Sequence, residues 1–288
     1  MVRKGRKKRK IRVLKRVAFW GIIVFISCTG MYFYREYKDI QLENIVSHTT
    51  ENEGIEGRLQ KMSNYDFRIK DIVENKSQYP EELLELLTTN IETIDFVLNY
   101  PEKKNNSPAE TVGETRSGEI PLLLQWDERW GYQNYGDSML AVNGCGPTAL
   151  SMVIVGLTEN KQATPYQVAQ YAEKNGYYVE GVGSSWNMMT DVGSYFGIQG
   201  SEIPLGKDSI QTELELGHPI ICAMRPGDFT TTGHFIVLIG MKDGKICVHD
   251  PNSKKRSEKL WNYETLESQI NNLWSFTTLF YILHINYT

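Results

Sequence analysis

Three short segments hold residue types suited to nucleophilic chemistry. Asn143-Gly144-Cys145-Gly146-Pro147-Thr148 sets a thiol just before a strong helical pattern from about Pro147 to Leu157. The thiolate is the reactive form of cysteine, and a helix N-terminus favours it through the macrodipole. Two flanking glycines permit a tight turn and the close approach of a second chain, and Pro147 suits a first helical turn. Gly233-His234-Phe235-Ile236-Val237-Leu238-Ile239-Gly240 places an imidazole at the start of an apolar strand, and His249-Asp250-Pro251 ends the next one. An imidazole can take and return a thiol proton, and a carboxylate can hold it in the tautomer that leaves one nitrogen for sulfur. Each segment also has a plainer reading. Cys145 can be a turn residue packed against its helix, and His234 with Asp250 a structural pair.

For the three to meet, the elements around them must take a definite order. Lys242-Asp243-Gly244 reads as a hairpin turn between strands over 234–239 and 245–248. A hairpin sets the end of one strand beside the start of the other, so Asp250 falls next to His234. His249 is adjacent to Asp250 and leaves the opposite face of a regular strand. A strand over Pro219–Met224 completes an antiparallel meander, and Leu279–Ile285 is a further strand candidate. Helices are predicted over Pro165–Asn175, with Thr164 as N-cap, and over Ser185–Phe196. Helices first and strands afterwards predict an α+β domain. Cys222 and Cys247 then sit on strands either side of the His234 strand, about 9–10 Å apart, too far for a disulfide. Both read as buried thiols. No Cys or His pair has zinc-ligand spacing and no glycine-rich phosphate loop is present, so no metal or cofactor is expected.

Composition bounds the rest. With 288 residues, 41% hydrophobic and 23% charged, the chain is neither wholly disordered nor a multi-span membrane protein. Four cysteines exclude a disulfide-dense miniprotein. The net charge of −4 conceals a division. Residues 1–16 hold ten basic and no acidic side chains, leaving 21 basic against 35 acidic in the remainder. Residues 17–34 follow as 18 uncharged residues, long enough as a helix to cover about 27 Å, near the thickness of a bilayer core. Trp20, Tyr32 and Tyr34 stand where interfacial aromatics belong. The expectation is a cytoplasmic basic segment at 1–16 and a single transmembrane signal-anchor at 17–34, with everything beyond it extracytoplasmic. No A-x-A-like site follows the run, and Phe25-Ile26-Ser27 before Cys28 lacks the leucine of a lipoprotein signal. Cleavage, or lipidation at Cys28, stays open. Beside such a run the basic block is a topology signal, and no nucleic-acid partner is expected.

Residues 35–65 read as a stalk. Pro80 opens the helix EELLELLTTN, and Asn90 caps a second, IETIDFVLNY, that stops before Pro101. Residues 66–101 are thus a helical pair expected to pack on the catalytic domain. Residues 102–119 are a linker, and 120–288 are the domain itself.

Taken together, NGCGPTALSMV, GHFIVLIG and VHDPNS resemble the papain-like cysteine peptidases. Within them they resemble the branch related to the bacteriocin-processing, double-glycine leader peptidases, in its free-standing, membrane-anchored extracytoplasmic form. The resemblance covers about residues 78–285. The helical pair is also similar to the segment preceding such domains in members from Gram-positive bacteria. The resemblance implies a papain-like fold and hydrolysis of a peptide or amide bond, without metal or cofactor, on a peptide or protein substrate. It implies Cys145 as nucleophile, His234 as general base and acid, and Asp250 as the residue orienting the histidine. Gln125, in Leu124-Gln125-Trp126-Asp127, matches the family's oxyanion donor, with Gln133 as rival. The 20-residue gap from Gln125 to Cys145 is longer than in the leader peptidases proper. Gly144, Trp126, Trp186 and Gly233 are candidate substrate-binding positions. Trp130, Tyr132 and Tyr135 read equally as groove or core aromatics. Two rival functions remain at this level: a surface-anchored non-catalytic binding module on the same fold, and a thiol-dependent transpeptidase. The sequence gives no oligomeric state.

Overall fold

A computed structural model of the chain describes residues 2–47 and 54–279, with side chains from Trp20 onward except Ile23. The chain divides into two compact units, Met1–Glu74 and Asn75–Thr288. In the first, α1 (Val2–Ser47) packs on α2 (Ile55–Met62), and α2 on α3 (Phe67–Glu74). Leu42, Leu59, Met62, Ile69 and Ile72 are buried. Trp20, Phe25, Tyr32 and Tyr34 of α1 are exposed. Among the described residues no helix is long and apolar enough to cross a membrane. The span expected over 17–34 falls partly on residues 17–19 and 23, whose side chains lie outside the description.

The second unit begins with α4 (Glu81–Thr89) and α5 (Ile94–Leu98). Pro80 is the N-cap of α4, and the Asn90 side chain caps the turn before α5 by accepting from the Glu92 N–H. Pro101 does not end the helical segment. A further turn, Tyr100–Lys103, carries Pro101 within its first positions, where a missing N–H leaves no hydrogen bond unmade. Then come α6 (Cys145–Thr158), α7 (Pro165–Lys174), α8 (Met188–Tyr195), β1 (Ile198–Glu202) and α9 (Lys207–Glu215). The chain continues through β2 (Ile220–Met224), β3 (His234–Lys242), β4 (Lys245–His249), α10 (Lys254–Glu258), β5 (Leu260–Trp261) and β6 (Ile270–Thr278).

The fold is α+β. The six strands form an antiparallel sheet in the order β1-β6-β2-β3-β4-β5. Strands β2 to β5 are a meander, and β6 returns across the sheet to lie between β1 and β2. The long apolar stretches of β2 and β3 follow from burial on both faces. Ile221, Ala223, Phe235, Val237, Trp274 and Phe276 pack with Leu150, Val153 and Ile154 of α6. Ile220, Cys222, Ile236, Leu238, Ile246 and Val248 pack on the other side with Ile210 and Leu214 of α9. Helix α6 is apolar on every side because Gly146 through Val155 are all buried. Cys222 and Cys247 are free thiols on β2 and β4, with β3 between them.

Strands β1 and β6 were not expected from the sequence. The segment INNLWSFTT of β6 has two asparagines after Ile270 and a register shift between Ile270 and Asn272, which break the alternation that marks a strand. The strand expected at Leu279–Ile285 lies, apart from Leu279, outside the described residues.

Helix α8 and strand β1 meet closely at Gly200. A Cβ there would stand 2.1 Å from the Met189 carbonyl oxygen and 2.7 Å from the Phe276 ring. Because one neighbour is backbone, the clash cannot be relieved by a rotamer change. Gly200→Ala is expected to cost about 2–3 kcal/mol, read as a lower urea midpoint with an unchanged m-value.

Candidate active site

The turn Leu140–Asn143 leads through Gly144 into α6. A Cβ on Gly144 would lie 2.3 Å from the Leu140 carbonyl oxygen. Glycine here lets the chain fold back on that turn and put Cys145 at the first position of α6. Gly146 answers a second approach, since a Cβ there would meet the Ser184 Oγ at 2.6 Å. Cys145 is half-buried at this helix start.

His234 opens β3, and Asp250 follows the last residue of β4. Val237 pairs with His249, which sets Asp250 opposite Ile236 and on the face shared by His234. The His234 Nε2–H donates to Asp250 Oδ1 at 2.7 Å, and both side chains are buried. With Nε2 engaged, Nδ1 is the ring nitrogen left to serve the Cys145 thiol. Cys145 and His234 line one cavity of about 580 Å³, together with Tyr178, Ser184, Trp186 and Gly233. A larger, more open groove of about 1160 Å³ around Tyr171 and Tyr195 contains none of these residues.

Burial alone would push the His234 pKa down. The Asp250 charge and hydrogen bond, with those of Cys145, overcome burial and raise it to about 9. Asp250 shows the opposite balance. Burial would raise its pKa, while His234 and then Arg256 hold the carboxyl below its ordinary range. Its oxygens are fully engaged. Oδ1 also accepts from the Asn252 N–H at 2.7 Å, and Oδ2 accepts from Arg256 Nε at 2.5 Å. His249 faces away from the cavity. Burial pulls its pKa down to about 4, and its buried Nδ1 has no partner among the described residues.

The remaining candidates divide. Gln125 is 3% exposed and sits behind the Cys145 turn rather than in the cavity wall. Its backbone N–H donates to Pro251 O at 2.8 Å. Its amide nitrogen donates to Ala141 O at 2.7 Å and, more weakly, to Val142 O at 3.3 Å. Gln133 instead bonds Asn106 O at 3.0 Å. Trp186 and Gly233 line the cavity, whereas Trp126 and Gly144 do not. Trp126 is wedged on the turn after Asp250, where its indole N–H donates to Asn252 O at 3.0 Å and the Lys254 ammonium lies over its ring. Trp130 and Tyr135 are fully buried, and Tyr132 stacks on Phe96 with ring centroids 4.2 Å apart.

Sequence reasoning missed Arg256, Ser184, Asn90 and Glu92. Ser184 faces the cavity and shares a 2.8 Å hydrogen bond with the Tyr135 hydroxyl. Arg256 stands in a Lys254-Lys255-Arg256 run that reads as a solvated basic patch. Its one local signal is Ser253, the N-cap that accepts from the Arg256 N–H. Among the described residues no cluster of His, Cys, Asp or Glu side chains is arranged to hold a metal ion.

A family model described as the Peptidase_C39 like family matches residues 118–278, more than half of the chain. Three solved structures are similar at low identity. The first is the peptidase domain of Streptococcus ComA, a bi-functional ABC transporter of a quorum sensing pathway. It is 18% identical over 47% of this chain and 92% of that one, with a TM-score of 0.36. The second is a double glycine motif protease from an AMS/PCAT transporter in complex with the leader peptide, 18% identical over 57% and 94%, with a TM-score of 0.36. The third is described as a C39-like peptidase from Bacillus anthracis, 15% identical over 56% and 96%, with a TM-score of 0.32. No curated protein matches.

His234 and His249 give stability opposite pH dependences. The His249 pKa is depressed, so its contribution is present above its unfolded pKa of about 6.5 and lost as pH falls toward 4. The His234 pKa is raised, so its contribution is complete below about 6.5 and lost as pH rises through 9. His249→Gln keeps a polar side chain of similar reach and removes the titration. It should abolish an acid-side loss on the order of 3 kcal/mol, measured from urea midpoints at pH 7 and pH 4.

Proposed function

The chain belongs to the Peptidase_C39 like family, and on that premise we propose that it is a cysteine peptidase acting through Cys145, His234 and Asp250. The observation that carries this reading is the buried His234–Asp250 hydrogen bond of 2.7 Å, opening on a cavity that Cys145 also lines.

In the proposed reaction, the thiol proton resides on His234 Nδ1 as an imidazolium, and the Cys145 thiolate attacks the scissile carbonyl carbon. The negative oxygen that forms is stabilised by the Cys145 backbone N–H and by the Gln125 amide. For that, the Gln125 amide, which now donates to Ala141 O and Val142 O behind the turn, must rotate as a whole toward the substrate. His234 then gives its proton to the departing amine, and the C–N bond breaks to leave a thioester. Water enters, His234 takes one of its protons, and the acid product leaves as the thiolate is restored. Asp250 stays ionised throughout and keeps Nε2 protonated. Trp186 and Gly233 are the substrate-contacting residues of this reading. Hydrolysis outside the cell, with attachment through residues 17–34, is part of the same proposal. It rests on the uncharged 18-residue run that follows ten basic residues.

The test uses the full chain and a peptide library read by mass spectrometry, with an iodoacetamide probe in parallel. Cys145→Ala should give no cleavage and no label at that position. His234→Ala should lower both cleavage and labelling by at least about 10²-fold. Label at Cys145 that is indifferent to His234 would instead support a non-catalytic binding module. Amide products formed on adding an amine would identify acyl transfer.

A further inference from the structure

Asp250 has two cationic partners, and only one of them belongs to the reaction described above. His234 holds Oδ1, and Arg256 holds Oδ2 with an Nε contact of 2.5 Å. Asp250 is 0% exposed, so no water shares the load. A buried carboxylate with imidazolium as its sole counter-ion would bind that proton tightly. A group that must both accept and release a proton works best near the operating pH. A second cation on the far oxygen draws off part of the carboxylate field and loosens the hold.

The placement of Arg256 is itself built. Ser253 caps its N–H at 3.1 Å, the Asp250 N–H donates to Ser257 Oγ at 2.8 Å, and the Trp261 indole donates to the Arg256 carbonyl at 3.0 Å. The start of α10 is held from outside the family match at 118–278. Asn90 Nδ2 donates to Asn252 O at 2.6 Å and to its side-chain oxygen at 2.9 Å. Glu92 accepts from the Lys254 N–H at 2.8 Å and from the Ser253 hydroxyl.

We propose that Arg256 is a positioning residue that fixes the second oxygen of Asp250 and moderates the basicity of His234, with Asn90 and Glu92 holding the turn that carries it. The inference rests on His234 acting as acid and base. The charged and titratable groups concerned are Cys145 and Asp250 at His234, Asp137, Tyr178 and Arg225 on the walls of the same cavity, Arg256 at Asp250, Glu92 and Lys254 at the start of α10, and His249 on the opposite face of β4.

The experiment follows the His234 ring by ¹⁵N-imidazole NMR across pH in the full chain, with His234→Ala to assign the signal. Arg256→Gln is expected to raise the titration midpoint by about one pH unit, and Arg256→Lys to stay near wild type. Asn90→Ala leaves every charge in place and removes the two contacts to Asn252 together with the cap before α5. It should shift the midpoint the same way by a smaller amount, and it decides the matter if Arg256→Gln does not fold. An unchanged or lowered midpoint in a folded variant would overturn the proposal. Labelling of Cys145 that ignores His234 would sink the peptidase reading instead, and the midpoint measurement does not depend on it.

Discussion

One buried carboxylate governs the site. Asp250 lies where water cannot reach, and an ion taken out of water costs several kcal/mol unless its oxygens are met by donors. Here every donor is local and directional: the His234 ring, the Arg256 guanidinium and the Asn252 N–H. The strand pairing exists in part to make that possible. The β3–β4 register puts the start of one strand near the end of the next, and a one-residue slip would turn Asp250 to the face where His249 now lies. The pairing therefore decides which side chain meets His234 as well as the shape of the sheet. A hydrophobic residue at position 250 would pack more cheaply, which is why the charge, with this much machinery around it, points to a role other than stability.

The Cys145 side is held by a different kind of constraint. Cys145 is placed by close backbone approach rather than by charge. Gly144 lets the chain double back on Leu140, and Gly146 admits Ser184 against the helix start. Behind them α6 is buried on all sides, a rigid post between the turn and the sheet. The two halves of the site thus ride on separate elements, a central helix and a hairpin, and packing between α6 and the sheet carries their relative position. The rim is less constrained. The short strands Tyr178–Val179 and Gly183–Ser184 form a hairpin along one cavity wall, with Val182 exposed at 76%.

Much of this was legible in the residues. The thiol at a helix start, the apolar strands on either side of Lys242-Asp243-Gly244, and the opposite facing of His249 and Asp250 all follow from periods of 3.6 and 2. Cys222 and Cys247 separate for the same reason. What was not legible depends on long-range packing. Strand β6 has a weak local signal and owes its inner place to partners 46 to 80 residues earlier. Trp126 looks like a groove aromatic in the sequence, but the turn after Asp250 supplies a carbonyl for its indole, and it serves as a wedge. Arg256 is hidden by its neighbours, because a basic run on a five-residue helix gives no hint that one of its members turns inward.

The preceding helices bear on where the functional unit begins. A boundary drawn from the family match starts at residue 118, yet Asn90 and Glu92 hold the backbone of residues 252–254. They act on a turn whose two ends carry Asp250 and Arg256, so a small displacement there would change both partners of one ion pair at once. A loop of this kind, charged and near the surface, would ordinarily sample several geometries. Clamped by an amide and a carboxylate from another segment, it is restricted to the geometry in which Asp250 faces His234. The helical preface is thus continuous with the site it precedes. Its sequence can diverge from that of relatives wherever the same turn is held by other means, which is a physical reason for a family pattern to end before it.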